Sequence, residues 1–210
     1  HQQLRAYADQ DAAQRLANPV YHIHGADVPA SDMVVPFSML LNLASVSSAH
    51  DKETLWGFIR RYAPEASPEA NPQMDQAAGF AVKYYEDFVA PEKSFRLPTD
   101  AERAAMEELK LCLHDADKAL DVIARKNAQA GRDDPLPQVD WHDDEFLQSI
   151  VFAIGKTHGF EPLRDWFSAL YEVLLGASQG PRFGGFIALY GIQETVALID
   201  RALAGELAAG

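Results

Sequence analysis

Apolar residues recur at helical spacing through most of the chain, and no stretch sustains the every-second-residue alternation of a strand. Residues 2–17 place Leu4, Tyr7, Ala8, Ala12, Arg15 and Leu16 on one helical face, and Asn18-Pro19 ends that helix. Residues 19–35, with Pro19, Gly25 and Pro29, read as irregular. Pro36 opens a run from Phe37 to Val46 that has few polar positions, a pattern expected of a core helix. Asp51 is placed as the N-cap of a helix that runs to Tyr62 and stops before Pro64. Residues 64–72 hold three prolines and form a loop or a broken first turn. A helix from Met74 to Val89 carries Phe80, Val82, Tyr84, Tyr85 and Phe88.

Pro91 and Pro98 bracket a linker, after which Thr99-Asp-Ala-Glu102 has the form of a capping box. It launches the longest helical pattern, 101–130, with Leu109, Cys112, Leu113, Ala116, Leu120, Ile123 and Ala124 as the expected buried stripe and Gly131 as its end. A loop at 131–140 precedes a helix from Asp140 to His158, with Phe146, Leu147, Ile150, Val151 and Ile154 inward. Pro162 starts the next helix, which runs to Gly176. A Gly/Pro/Ser turn leads to a helix opened by Pro181, and Gln193 to Leu207 is the last. The fold expected is all-α, without internal repeats. Its divisions are 1–98, a long helix and loop at 99–140, and a C-terminal subdomain at 141–210.

Composition narrows the function. The chain has 210 residues, about half of them apolar, enough for a real core. No apolar run reaches membrane-span length. The polar start is unlike a signal peptide, and a lone cysteine, Cys112, fits a reducing, cytoplasmic setting. His1-Gln-Gln-Leu-Arg-Ala-Tyr7 lacks an initiator Met and reads as the middle of a helix, so a piece of a longer protein is expected. The net charge of -13 argues against sequence-blind nucleic-acid binding over the whole surface. That charge is uneven. Residues 146–210 carry four basic and six acidic groups, so an anion can approach the C-terminal third.

Self-contained catalytic chemistry is absent from the pattern. His22-x-His24, with His50 near Asp51, is the most metal-like feature, but no third ligand has a fixed spacing, and a loop role is favoured. His142-Asp-Asp-Glu145 suits the positive end of a helix dipole and reads as structural. His114-Asp-x-Asp117 reads as a solvated helix face, and Cys112 has no base at defined spacing. Phosphate-binding glycine motifs of the Walker or dinucleotide type do not occur.

The stretch Gly176-Ala-Ser-Gln-Gly-Pro-Arg182-Phe-Gly-Gly-Phe186 holds more promise. Gly184 and Gly185 let a backbone or a planar ligand come close, and Arg182 and Phe183 sit where a helix offers unpaired N–H groups. One reading is a corner whose glycines pack on a neighbouring helix; the other is a site for a phosphate or a base edge. Arg60 and Arg61 beside Trp56, Phe58 and Tyr62, and Lys156 with Arg164 and Trp166, are further cation–aromatic groupings of the kind that stack unpaired bases. Core aromatics with snorkelling cations give the same pattern.

Three blocks carry a resemblance: Asn18-Pro-Val-Tyr-His-Ile-His-Gly25; Pro36-Phe-Ser-Met-Leu-Leu-Asn-Leu43 with Asp51-Lys-Glu-Thr-Leu-Trp-Gly-Phe-Ile-Arg-Arg-Tyr62; and Gln179-Gly-Pro-Arg-Phe-Gly-Gly-Phe-Ile-Ala-Leu-Tyr-Gly191. They resemble the C-terminal part of bacterial class I lysyl-tRNA synthetases. The resemblance covers nearly the whole chain, with 99–145 its least distinctive part. It implies two packed helical subdomains forming a cage of helices like that of class I glutamyl-tRNA synthetases, and it implies recognition of the anticodon of lysine tRNA. ATP and Mg would belong to a catalytic domain that this chain lacks, since the family's two ATP-site motifs are missing here. His22-Ile-His-Gly25 only mimics one of them by composition.

The chain alone is then expected to be inactive in catalysis and to bind no cofactor. Its partners would be lysine tRNA and the catalytic domain, with no membrane and no DNA. Position and chemistry nominate Arg182 and Phe183, supported by Phe186, Trp166, Lys156 and Arg164, as tRNA-binding residues. Two alternatives stand beside this reading: a helical protein-interaction module without a nucleic-acid role, and a small metal-dependent enzyme using His22, His24 and His50.

Overall fold

A computed structural model describes residues 7, 10–25, 28 and 30–209. Among these, every regular element is helical and no strand occurs. The chain divides into two compact units, His1–Phe88 and Val89–Gly210.

In the first unit, α1 (Ala12–Ala17) starts from a reciprocal Asp11–Gln14 capping box and buries none of its residues. Leu4 and Ala8, expected on its face, lie outside the described residues. Of the segment expected to be irregular, 19–35, the first six residues form α2 (Pro19–His24), and 30–35 are irregular as expected. Asn18 ends one helix and caps the next, its Oδ1 accepting from the Val20 N–H at 2.9 Å, and Pro19 fits the first helical position.

The core of this unit lies among α3 (Phe37–Ser47), α4 (Lys52–Tyr62) and α5 (Pro72–Tyr84), which pack on one another. Leu40, Leu43, Leu55, Trp56, Ile59 and Met74 are fully buried there. Asp51 caps α4 as expected, accepting from the Thr54 N–H at 2.8 Å and its hydroxyl at 3.0 Å. The cap of α5 comes instead from far away in sequence. Asp32 accepts from the N–H groups of Gln73 (2.9 Å) and Met74 (3.0 Å). After Tyr84 the helix widens into a π turn, Tyr85–Val89, rather than running on as a regular α-helix.

In the second unit, α6 (Asp100–His114) begins at the expected capping box: the Thr99 hydroxyl accepts from the Glu102 N–H at 3.3 Å, and Glu102 accepts from the Thr99 N–H at 2.8 Å. Arg96 adds a fork to the same carboxylate, with both contacts at 2.7 Å, and reaches Glu172 at 2.6 Å. The long helix expected to reach residue 130 is broken at Asp115. This residue turns extended and caps α7 (Ala116–Gln129) by accepting from the N–H groups of Asp117 and Lys118. The break resets the helical phase. Leu109, Cys112, Leu113 and Ile123 are buried as expected, but Ala119, Val122 and Asn127 join them in α7 in place of Ala116, Leu120 and Ala124, which are partly exposed.

The centre of the unit is α8 (Asp144–Thr157), which packs on α6, α7 and α10 (Phe183–Tyr190). It starts four residues later than Asp140, because Asp140 closes a local turn onto the His142 N–H and Asp143 supplies the cap. The expected inward residues Phe146, Leu147, Ile150, Val151 and Ile154 are all buried. Between them, α9 (Arg164–Leu170) passes into a π turn, Tyr171–Leu175. Finally α11 (Ile192–Leu203) packs on α6 and α10, shorter than expected and closed by Gly205 at φ 80°. Among the described residues no helix is long and apolar enough to cross a membrane.

Candidate functional site

The Gly-Pro-Arg stretch is held by contacts from three sides. Gly176 ends the π turn at φ 65°, and a side chain there would press on the Phe95 ring at 3.0 Å. Its carbonyl accepts from the Ser94 N–H at 3.0 Å. The Tyr171 hydroxyl donates to the Pro181 carbonyl at 2.7 Å, and its ring leaves no room for a Cβ on Gly180. Burial pushes the Tyr171 phenol above its usual pKa, so it remains an O–H donor at neutral pH.

Arg182 then occupies the N-cap position of α10. Gly184 explains the close crossing of α10 over α8. A Cβ there would lie 2.3 Å from the Asp144 carbonyl oxygen and 2.5 Å from the Gln148 nitrogen. At that crossing the Gly184 N–H donates to Gln148 Oε1 at 2.8 Å. One of the two sequence readings, a corner whose glycine packs on a neighbouring helix, therefore describes Gly184.

The six nominated residues fall into different environments. Phe183 (0% exposed), Phe186 (1%) and Trp166 (0%) are core residues. Phe183 and Phe186 meet at 5.3 Å between ring centroids, with Tyr171 and Tyr190 extending the row. Trp166 packs instead on Phe160 at 5.2 Å, and its indole N–H donates to the Val151 carbonyl at 3.0 Å. Gly155 on α8 makes room for that indole. The three cations are accessible. Arg164 is exposed at the start of α9, and Lys156 is half-buried at 3.7 Å from Glu161.

Arg182 lies across from the other end of α8. Both terminal nitrogens of its guanidinium donate to the two carboxylate oxygens of Glu145, and Asp144 stands 4.0 Å away. The pair holds the Glu145 carboxyl below the usual glutamate pKa and Arg182 above the usual arginine pKa. Glu145 and Lys156 are eleven positions apart on α8, roughly 16 Å along the axis. Arg182, through Glu145, and Lys156 thus stand towards opposite ends of α8, while Arg164 opens α9.

Glu145 and Gln148 are the residues that the sequence reading did not place at this site. No local spacing links residues 145 and 182; only the crossing of α8 and α10 does. The adjacent glycines Gly184 and Gly185 signalled a close neighbour without saying which.

The other candidates are engaged elsewhere. Trp56 is buried, and its indole N–H donates to Asp75 at 3.0 Å. Arg60 pairs with Glu53 at 2.7 Å and lies over the Trp56 ring, while Arg61 lies over Phe58. His22 and His24 are exposed on α2, and His50 meets Glu86 at 3.3 Å. Among the described residues no group of three or more His, Cys, Asp or Glu side chains gathers as a metal site would require. Cys112 is buried on α6, and burial and the Glu108 carboxylate push its thiol up to about 12, which removes nucleophilic character at neutral pH. His114, Asp115 and Asp117 are exposed, as read from the sequence, but the helix expected to run through them breaks at Asp115.

No family model matches the chain, and no solved structure matches it. Curated sequences do. The lysine–tRNA ligase of Roseobacter denitrificans is 66% identical over 207 residues, which is 99% of this chain and 35% of that protein. That of Rickettsia felis is 38% identical over 195 residues, 92% of this chain and 33% of its own length. That of Rickettsia bellii is 40% identical over 198 residues, 94% of this chain and 34% of its own. The chain spans about a third of the length of the curated relatives it matches.

Proposed function

We infer that this chain, homologous over nearly its whole length to lysine–tRNA ligases, is the tRNA-recognition part of a class I enzyme of that kind. The observation that carries this is the 66% identity over 99% of the chain to one such ligase. The all-helical fold is the one that resemblance to the C-terminal region implies. In this reading the chain grips the anticodon loop of lysine tRNA in the cytoplasm during protein synthesis. The rest of the enzyme, with ATP and Mg, activates lysine and transfers it to the tRNA 3′ end.

The accessible cations Arg182, Lys156 and Arg164 serve as the contacts to phosphates and base edges. Arginine suits this task because its planar fork matches both groups. Phe183, Phe186 and Trp166 act from beneath. Their packing fixes α8, α9 and α10, and so fixes where the three cations stand. The acidic residues 1–145 repel RNA and residues 146–210 are nearly neutral, with Asp143, Asp144 and Glu145 the acidic groups that stand beside Arg182.

The test is binding of the chain to lysine tRNA at two salt concentrations, with an anticodon-swapped tRNA as control. The lysine anticodon is expected to win. With Lys156 and Arg164 on phosphates and Arg182 on a phosphate or a base edge, the log–log salt slope is expected between about −1.4 and −2, from about 0.7 per phosphate neutralised. Equal binding of both tRNAs overturns the anticodon reading, and no binding at low salt overturns it in favour of a protein-interaction module.

A further inference from the structure

The Arg182–Glu145 pair has a chemical property that the recognition reading leaves unused. A carboxylate and a phosphate present similar pairs of oxygens to a guanidinium fork, and a guanine or uracil edge presents acceptors to the same donors. Both Glu145 oxygens accept from Arg182, one from each terminal nitrogen, so the end of the guanidinium fork is already engaged. The pair is also accessible, with side chains 46% and 67% exposed, so water exchanges with it and little holds it shut. The contact is not set by a flexible loop. Asp143 caps the first turn of α8 through the Glu145 N–H at 3.0 Å, and Gln148, one turn further on, holds the Gly184 N–H of α10. The helix that carries Glu145 is therefore the one that seats Arg182.

We propose that Glu145 is a specificity-determining residue: a resident carboxylate that occupies Arg182 in the unbound protein, and that an RNA must displace to bind. This rests on the reading of Arg182 as a tRNA contact. Displacement disfavours any RNA that offers only a phosphate. Such an RNA must replace Glu145 while meeting the neighbouring charges of Asp143 and Asp144. An RNA that aligns a base edge with the fork supplies neutral acceptors and avoids that repulsion. Glu145 thus sacrifices affinity for all RNAs and gains discrimination between them.

Fluorescence anisotropy with two labelled RNA hairpins tests this, one carrying the lysine anticodon and one a swapped anticodon, on the 210-residue chain. Glu145→Gln keeps the size and polarity of the side chain and removes the charge. It is expected to tighten binding of both hairpins by about 1.5-fold to fivefold, the range for an exposed ion pair. The gain should be larger for the swapped hairpin, so that discrimination falls. In an Arg182→Ala background the same change should have no effect. Glu69→Gln, an exposed carboxylate in the other unit, controls for general charge removal.

Weaker binding by Glu145→Gln overturns the proposal, because Glu145 then supports Arg182 rather than competing for it. A gain that persists without Arg182, or that Glu69→Gln matches, overturns it as well. Where the unsubstituted chain binds the lysine hairpin and only Glu145→Gln is neutral, this inference alone fails. Where the unsubstituted chain binds neither hairpin, the recognition reading fails and takes this one with it.

Discussion

Each unit buries one tryptophan almost completely, and the two indole N–H groups are satisfied in different ways. Trp166 donates to a main-chain carbonyl of α8, a group with no titration. Trp56 donates to the Asp75 carboxylate, which also takes Lys52 at 2.5 Å. The first arrangement holds at any pH that leaves the helix intact. The second depends on the charge of a side chain. Hydrogen bonds from Lys52 and then Trp56 hold the Asp75 carboxyl below its ordinary value of 3.8. Its contribution is therefore whole above that ordinary value and is lost as pH falls through the lowered folded one. A buried tryptophan is an equally large apolar anchor in both units, but only one of the two anchors is tied to solvent acidity.

Truncation should show how alike the anchors are. Trp166→Ala and Trp56→Ala are each expected to cost about 3–5 kcal/mol, read from urea titrations by circular dichroism. A cost under about 1 kcal/mol at either site would break the comparison.

Helix glycines give the next contrast. Gly184→Ala drives a Cβ into the Asp144 backbone and should cost about 1–3 kcal/mol. Gly79→Ala on α5 meets only the flexible Lys52 chain at 3.2 Å, so it should be neutral or stabilise by up to about 1 kcal/mol. Thermal melts of the two variants should move apart.

The smallest effect is the sharpest. Asp75→Asn should cost about 1 kcal/mol at neutral pH. That difference should shrink as pH falls and Asp75 itself becomes protonated. In nitrogen-15 spectra the Trp56 indole signal should shift with the Asp75 titration while the Trp166 signal stays still. Movement of both would end the distinction.

Local chemistry was legible in the sequence, and long-range chemistry was not. The Asp51 cap, the Thr99–Glu102 box and the inward face of α8 follow from spacing within a few residues, and the structure has all three. Asp115 is a different failure. Its cap was present in the sequence as an aspartate two residues before another, but the apolar rhythm on both sides read as one helix. Asp32 capping α5 and Glu145 meeting Arg182 join residues about forty positions apart, and no periodicity reports such pairs. At the site, exposure decided what spacing could not. Phe183, Phe186 and Trp166 match a stacking pattern by type, yet the structure gives them to the core and leaves only the cations outside.

The staples on the turn before Arg182 have an entropic consequence. A loop of glycine, serine and proline would ordinarily lose about 1–2 kcal/mol of backbone freedom per residue on meeting a ligand. Here the Ser94–Gly176 and Tyr171–Pro181 hydrogen bonds fix both ends of that turn in the unbound protein. The ordering is done at folding rather than at association, so the backbone that carries Arg182 has little freedom left to lose when a ligand arrives.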